Sequence, residues 1–213
     1  MIVLIGESGS GKSTIEKELS AEYGFERIVS YTTRPMRDRE VDGVDYHFIN
    51  ELCFLQMLVN GAFAESTSYN GWHYGILKDD CKDNRIVVVE PYGLRQLKKV
   101  DGINVKTIYI KVPEQERIVR MMKRRDKTIE VFRRAISDQG VFQGIEDEVD
   151  FVADGDMPLE DVLEEITHWL EDEGISPHKP FVQRSMSEIW DKPSAVVINA
   201  LGGQAAKEWD NGF

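Results

Sequence analysis

The chain of 213 residues has little cysteine, few basic residues for its acidic content, and no long hydrophobic run. Its two cysteines, Cys53 and Cys81, are too few for a disulfide framework or a cysteine metal cluster, and they suit a reducing, cytoplasmic compartment. No apolar run approaches the roughly 20 residues of a membrane-spanning helix, so we expect no membrane partner. The first apolar residues lack a basic flank and meet Gly6 at once, which is unlike a signal peptide.

The deficit of positive charge limits the classes of partner. Lysine and arginine number 26 against 38 aspartates and glutamates, a formal net charge of −12. Sequence-independent binding of nucleic acid needs a basic surface, so we expect no nucleic-acid partner. The net charge does not exclude small anionic substrates, because a local arginine cluster can bind phosphate on an acidic protein.

Short β-branched apolar runs alternate with longer amphipathic segments, which is typical of βα units around a parallel sheet. We therefore predict an α/β fold with a central parallel sheet flanked by helices. The predicted strands are 2–5, 27–33, 86–89, 105–112 and 151–153, and the predicted helices are 13–23, 113 to about 122, a further one through 134, and 159–170. The run 86–89 is apolar throughout, which favours the centre of the sheet.

Two segments depart from this alternation. Between residues 35 and 83 the chain becomes Gly-rich, aromatic and irregular, which indicates an inserted subdomain. Residues 175–213 contain three prolines and the apolar run 195–198. Because exposure of that run would be costly, we expect an extension that packs on the core or on a partner subunit, and a homodimer stays open.

Residues 6–13, Gly-Glu-Ser-Gly-Ser-Gly-Lys-Ser, fit the pattern G-x-x-x-x-G-K-[ST] between the first strand and the first helix. The glycines let successive N–H groups point into one concavity, and the helix N-terminus adds the positive end of its dipole. In such a loop Lys12 reaches the β- and γ-phosphates, and the Ser13 hydroxyl is a ligand for Mg²⁺. The sequence predicts an ATP site formed by Gly6, Ser8, Gly9, Ser10, Gly11, Lys12, Ser13 and Thr14; an ordinary Gly-rich turn is the alternative.

A second phosphate site is indicated by Arg34 and Arg37. Each guanidinium group can donate two hydrogen bonds to a doubly charged phosphate, with more directional geometry than an ammonium group. Pro35 stiffens the loop between the two arginines. A solvated polar loop with surface ion pairs is the alternative. Further along, the basic run 123–125 and the pair Arg133-Arg134 form either a solvated helix face or a mobile lid that closes on the transferring phosphoryl group.

The segment around the first two arginines resembles the guanylate kinase family, whose signature is T-[ST]-R-x-x-[KR]-x-x-[DE]-x-x-G-x-x-Y-x-[FY]. Every fixed position is met, by Thr32, Thr33, Arg34, Arg37, Glu40, Gly43, Tyr46 and Phe48. The resemblance covers about residues 1–170 and implies a P-loop kinase with an NMP-binding insertion, 34–83, between core segments 1–33 and 84–174, and a lid at about 121–133. It also implies transfer of the γ-phosphoryl group of ATP, with Mg²⁺, to GMP or dGMP.

The resemblance further implies roles for individual residues. The lid positions of the family are matched by Arg120, Arg124 and Arg134. The catalytic residues are then Lys12, Arg34, Arg124 and Arg134. The acceptor nucleotide is bound through its phosphate and its guanine edge by Ser30, Arg34, Arg37, Tyr46, Glu65, Tyr74 and Glu90, with Glu65 reading the guanine.

The chain departs from the family at the base end of the acceptor site. The family's D-x-D-x-Q-G reads Val88-Val89-Glu90-Pro91-Tyr92-Gly93 here, and the Ser or Thr that helps to hold guanine O6 is Ile76. We therefore expect a guanine preference weaker than in relatives with the complete set. Two alternatives stay open: a kinase for another or modified (d)NMP, and a non-catalytic guanylate-kinase-like binding module.

Overall fold

The computed structural model describes residues 1–37, 40–69 and 71–175. In chain order the strands are β1 Ile2–Ile5, β2 Glu26–Arg27, β3 Tyr31–Thr32, β4 His47–Phe48, β5 Phe63–Tyr69, β6 Trp72–Leu77, β7 Arg85–Val88, β8 Lys106–Lys111 and β9 Phe151–Asp154. The α-helices are α1 Lys12–Tyr23, α2 Glu51–Val59, α3 Pro91–Leu97, α4 Glu114–Lys123, α5 Thr128–Asp138 and α6 Leu159–Asp172. The predictions made for residues 176–213, including the apolar run 195–198, lie outside the described part of the chain.

A five-stranded parallel sheet in the order β2-β7-β1-β8-β9 forms the centre of the fold. This confirms the predicted α/β class. The predicted place of residues 86–89 is wrong in one respect, because β1 and not β7 is the middle strand. A strand made of an apolar run needs only a neighbouring strand at each edge, and β7 lies between β2 and β1.

Helices cover both faces of this sheet, and β1 shows how. Its alternate residues enter two hydrophobic clusters: Ile2 and Leu4 belong to the cluster that includes residues of α1 and α6, whereas Val3 and Ile5 belong to the cluster that includes residues of α3. All four side chains are fully buried. Since successive residues of a strand point to opposite faces, a continuous apolar run is what a strand covered on both sides needs.

A second, four-stranded sheet has the order β4-β3-β6-β5. The single strand predicted at 27–33 is wrong, because Arg27 pairs in the parallel sheet and Tyr31 pairs with Gly75 of β6 in the second sheet. The chain crosses between the sheets after Ile28, whose N–H still donates to Ile86 O. Residues 31–77 thus supply all four strands of the second sheet.

The parallel strands point their carboxyl ends at one edge of the main sheet. The glycine-rich loop follows β1 there, Glu90 follows β7, Pro113 follows β8 and Gly155 follows β9. Ligands of open α/β sheets bind in the crevice at this edge. Within the described ranges, no helix combines the length and the hydrophobicity needed to cross a membrane.

Candidate active site

The glycine-rich loop turns tightly into α1. Gly11 caps the helix with φ of 98° and Gly9 has φ of 84°, a backbone region that favours glycine. A Cβ on Gly9 would lie 2.6 Å from the backbone O of Arg117, so the loop also has no room for a side chain there. The first N–H groups of a helix have no partner within the helix, and this loop presents them at the edge of the sheet, where phosphate can bind.

Lys12 folds back over this loop. Its Nζ donates hydrogen bonds to the carbonyl oxygens of Gly6 and Glu7, the second at 2.8 Å. Burial lowers the pKa of Lys12, while nearby carboxylates, Glu90 foremost, oppose that shift. The ammonium group is therefore held at the loop.

Two charged residues that sequence reasoning did not single out, Arg117 and Asp138, lie beside the loop and form a cluster with Glu7 of the loop. Asp138, the last residue of α5, accepts a hydrogen bond of 2.8 Å from the Ser8 N–H. The buried Arg117 of α4 lies 3.5 Å from Asp138 and 3.8 Å from Glu7, measured between the charged groups. The Tyr109 hydroxyl donates to Glu7 Oε2 at 3.0 Å. No local pattern could have found this cluster, because Ser8 and Asp138 are 130 residues apart.

The predicted acceptor-phosphate residues come together on the second sheet. Arg34 donates to both oxygens of Glu40, at 2.7 and 2.9 Å, and its guanidinium lies 5.4 Å from the centre of the Tyr46 ring. The hydrogen bond from Arg34 lowers the pKa of Glu40. The rings of Tyr46 and Tyr74 are 6.0 Å apart. Arg34, Tyr46 and Tyr74 thus form one cluster beside Glu40.

Arg37 and Ser30 lie at the margin of that cluster. The Arg37 N–H donates to Glu40 Oε2 at 2.8 Å, and its side chain is 62% exposed. Ser30 is partly buried, and its backbone O accepts a hydrogen bond from the His47 N–H at 2.9 Å. Glu40 therefore holds both arginines of the motif, one through the side chain and one through the backbone.

The base end of the candidate pocket contains one buried carboxylate among apolar side chains. Glu65 on β5 is 6% exposed, and burial raises its pKa to about 7. It lies against α3, because a Cβ on Gly93 would be 2.9 Å from Glu65 Oε1. Ile76 is paired with Glu65 across the sheet and is 1% exposed. Glu90 is exposed and precedes α3 directly.

The predicted lid arginines are held by acidic neighbours. Arg124 and Arg134 both approach Asp126 Oδ2, at 3.1 and 3.4 Å. Arg134 also donates to Glu130 at 2.9 Å, and hydrogen bonds from Arg133 and Arg134 lower the pKa of Glu130 to about 2. Two of the three lid arginines thus converge on one segment.

The third lid arginine, Arg120, has different partners. It donates to Gly155 O at 2.9 Å and lies 3.5 Å from Asp156, beyond the end of β9. It therefore ties α4 to the loop after β9.

The residues present fit Mg²⁺ bound together with nucleotide phosphates. In the described ranges no three His, Cys, Asp or Glu side chains gather into a metal site. Mg²⁺ in phosphoryl-transfer enzymes usually keeps water and substrate oxygens with only one or two protein ligands. The exposed hydroxyl of Ser13 in the first turn of α1 suits that role.

The chain is similar to known guanylate kinases. The family model described as guanylate kinase matches residues 1–173. The chain belongs to the guanylate kinase family. The guanylate kinase of Chlorobaculum tepidum is 35% identical over 133 residues, which are 59% of this chain and 68% of that protein. The guanylate kinase of Chlorobium luteolum is 30% identical over 174 residues, 78% of this chain and 88% of that protein.

A solved guanylate kinase structure has the same fold. The crystal structure of the enzyme from Anaplasma phagocytophilum matches with a TM-score of 0.60 at 23% identity, covering 81% of this chain and 85% of that one. This member of the guanylate kinase family therefore has a P-loop kinase fold, as the sequence predicted.

Proposed function

We propose that the chain is an ATP-dependent guanylate kinase that phosphorylates GMP or dGMP, giving ADP and (d)GDP. The observation that supports the proposal is that one family member contains two clusters of residues that each suit phosphate binding. One is the glycine-rich loop with Lys12, and the other is the cluster of Arg34, Tyr46 and Tyr74. A kinase that transfers a phosphoryl group from one nucleotide to another needs both sites.

On the donor side, the chain's own residues bind and neutralise the ATP phosphates. Backbone N–H groups of residues 8–14 cradle them, and Lys12 exchanges its carbonyl contacts for phosphate oxygens. Ser13 would hold Mg²⁺, which when bound neutralises charge on the transferring phosphates.

On the acceptor side, Arg34 and Arg37 bind the monophosphate, with Ser30, Tyr46 and Tyr74 as hydroxyl donors. Glu40 orients the Arg34 guanidinium by a two-point contact, which restricts the angle at which the acceptor phosphate is held. Such orientation contributes strongly to catalysis when both reactants are anions.

The lid arginines act at the transferring group. Arg124 and Arg134 give up Asp126 and turn to the phosphoryl oxygens, where they stabilise the charge of the transition state and help to exclude water. In this scheme the lid spans about residues 121–133, the NMP-binding insertion spans residues 34–83, and the core spans residues 1–33 and 84–174.

Base selection rests on Glu65, with Glu90 as a second contact. Guanine offers two adjacent donors, N1–H and the N2 amine, to one carboxylate. Ile76 is buried and cannot donate to guanine O6, so the chain should tolerate bases altered at that position. This observation favours a second candidate, a kinase for a modified (d)NMP.

A non-catalytic binding module is the weaker alternative. The glycine-rich loop keeps the conformation and the lysine that phosphate binding needs. We further propose that the enzyme acts on free nucleotides in the cytoplasm, without a nucleic-acid or membrane partner. The two cysteines are free thiols, as a reducing compartment would leave them.

ADP production from ATP and Mg²⁺ with a panel of monophosphates tests the proposal. GMP or dGMP should give the highest kcat/KM among GMP, dGMP, AMP, dTMP and dCMP. Lys12→Ala should abolish turnover, whereas Lys17→Ala, an exposed lysine of the same helix, should not. Higher activity with a pyrimidine monophosphate would contradict the assigned role of Glu65, and turnover by Lys12→Ala within a few-fold of wild type would contradict the ATP site.

A further inference from the structure

A carboxylate occupies part of the phosphate loop. The Ser8 N–H, one of the N–H groups of the glycine-rich loop, donates to Asp138 Oδ2 at 2.8 Å. The Ser8 hydroxyl lies 3.5 Å from the other oxygen of the same carboxylate. Asp138 therefore accepts from the loop the kind of hydrogen bond that an anionic ligand would accept.

Asp138 is held there by a buried partner. Its carboxylate lies 3.5 Å from Arg117 Nη1, and Arg117 is 6% exposed. Arg117 also donates to Val112 O at 3.2 Å and to Ser8 O at 3.3 Å, so its guanidinium is fixed beside the loop. The contact is thus part of a buried ionic network and differs from a surface ion pair, which contributes little.

The carboxylate and a phosphate compete for the same place. Both accept hydrogen bonds from loop N–H groups and both are negatively charged, so their close approach is repulsive by about 1 kcal/mol or more in a partly buried site. A phosphate that binds the Ser8 N–H therefore has to displace Asp138 from it.

Asp138 also connects the loop to the lid. It is the last residue of α5, four positions after Arg134, and residues four apart lie on the same side of a helix. While the Ser8 contact exists, the C-terminal end of α5 is tied to the loop. Breaking the contact removes one of the two ties at that end of the helix and leaves the ion pair with Arg117.

We infer that Asp138 is a positioning residue that ties the end of α5 to the phosphate loop and is displaced from Ser8 by the ATP phosphates, so that ATP binding loosens the end of the helix that carries Arg134. The inference rests on the proposed function in one respect, namely that ATP is the ligand of the loop. It predicts that Asp138 lowers the affinity for ATP and couples ATP binding to α5.

The binding test compares Asp138→Asn with the wild type and with Glu114→Gln. Glu114 lines the same cavity of about 400 Å³ beside Arg117 and Asp138 and provides the matched removal of a charge. Calorimetry with a non-hydrolysable ATP analogue should show about tenfold tighter binding by Asp138→Asn. Glu114→Gln should stay within about twofold of wild type, and GMP binding should be unchanged in both variants. Unchanged or weaker ATP binding by Asp138→Asn, with or without a lower melting temperature, would mean that the residue is only structural.

A second measurement uses the wild-type chain and does not depend on the folding of a variant. Addition of the ATP analogue should speed amide hydrogen exchange at residues 135–138, because the tether at the helix end is broken. Slower or unchanged exchange there would overturn the inference. If the wild type phosphorylates GMP but Asp138→Asn binds ATP no more tightly than the wild type, only the inference fails. If Asp138→Asn binds ATP more tightly but the wild type phosphorylates no monophosphate, only the proposed function fails.

Discussion

At the scale of single residues, Glu65 shows a conflict between burial and binding. Removal from water raises its pKa to about 7, so near neutral pH the side chain is partly protonated. Accepting two hydrogen bonds from guanine requires the ionised carboxylate. The proposed base contact should therefore respond to pH within the physiological range.

We expect the KM for GMP to fall as the pH rises from about 6 to about 8, because ionised Glu65 is the binding form. Glu65→Gln should bind GMP more weakly and lose most of this pH dependence beyond the part due to the phosphate of GMP itself. Steady-state kinetics at saturating ATP gives the KM for GMP of the wild type and of Glu65→Gln at each pH. A wild-type profile that matches that of Glu65→Gln would exclude ionisation of Glu65 from base binding.

The same pKa predicts an effect on stability with a defined sign. The folded protein binds the Glu65 proton more tightly than the unfolded chain, whose glutamate has its usual pKa of 4.5. The free energy of unfolding should therefore fall as the pH rises from about 4.5 to about 7, by up to about 3 kcal/mol relative to Glu65→Gln. Urea unfolding of both proteins across this pH range provides the comparison. If the free energy of unfolding depends on pH in the same way for both, the raised pKa of Glu65 is contradicted.

Arg34 provides a test of the division between the two phosphate sites. Arg34→Ala should lower kcat/KM for GMP by about 100-fold or more, because the acceptor is no longer aligned, while the affinity for ATP stays within about twofold. Arg34→Lys should recover little, since an ammonium group cannot reproduce the two-point contact that Arg34 makes with Glu40. Equal losses for ATP and GMP would contradict separate sites.

At the scale of elements, α2 is attached to the second sheet by one buried side chain. Phe54, 1% exposed, is the only buried residue of this helix. Its ring stacks on Phe63 of β5 at 4.5 Å and on His73 of β6 at 5.2 Å, measured between ring centres. Because β5 also carries Glu65, this packing supports the base end of the site.

Phe54→Ala should lower the free energy of unfolding by about 3 kcal/mol, the usual cost of removing a buried aromatic ring. It should also raise the KM for GMP more than that for ATP, because the second sheet carries residues assigned to the acceptor and none assigned to ATP. Leu55→Ala is the matched control on the same helix, where the side chain is 39% exposed, and it should change both quantities little. An equal rise of both KM values would mean that α2 supports the whole molecule.

At the scale of the whole molecule, the family match ends at residue 173 and the last described helix, α6, ends at Asp172. A chain that ends at Gly174 would therefore contain every strand and helix described above. We propose, as the sequence indicates, that residues 175–213 stabilise the kinase core or join it to a second subunit.

Truncation after Gly174 should then lower the melting temperature or change the oligomeric state, because apolar side chains of the extension would lose their burial. Calorimetry and sedimentation of the full and truncated chains measure these properties. A truncated chain with unaltered stability, assembly and kinetics would show that the extension is dispensable.

Much of the fold and several site predictions depend on residues that are close together along the chain. The glycine-rich loop requires a few positions between one strand and one helix, and Arg34, Glu40 and Tyr46 lie within a single segment, so sequence reasoning alone identifies both. The alternation of apolar runs and amphipathic segments likewise predicted the parallel sheet, because burial on both faces imposes that pattern. The roles assigned to these side chains remain predictions.

The tertiary structure alone decided the features that join distant segments. The break between Arg27 and Tyr31 depends on which sheet offers each residue a partner, and propensity does not contain that information. Glu65 has a raised pKa because α3 packs over it, and Asp138 meets Ser8 because α5 returns to the loop after 130 residues. Burial and charge contacts between distant residues arise only when the chain has folded, whereas the backbone and hydrophobic patterns that predict helices, strands and loops are already present along it.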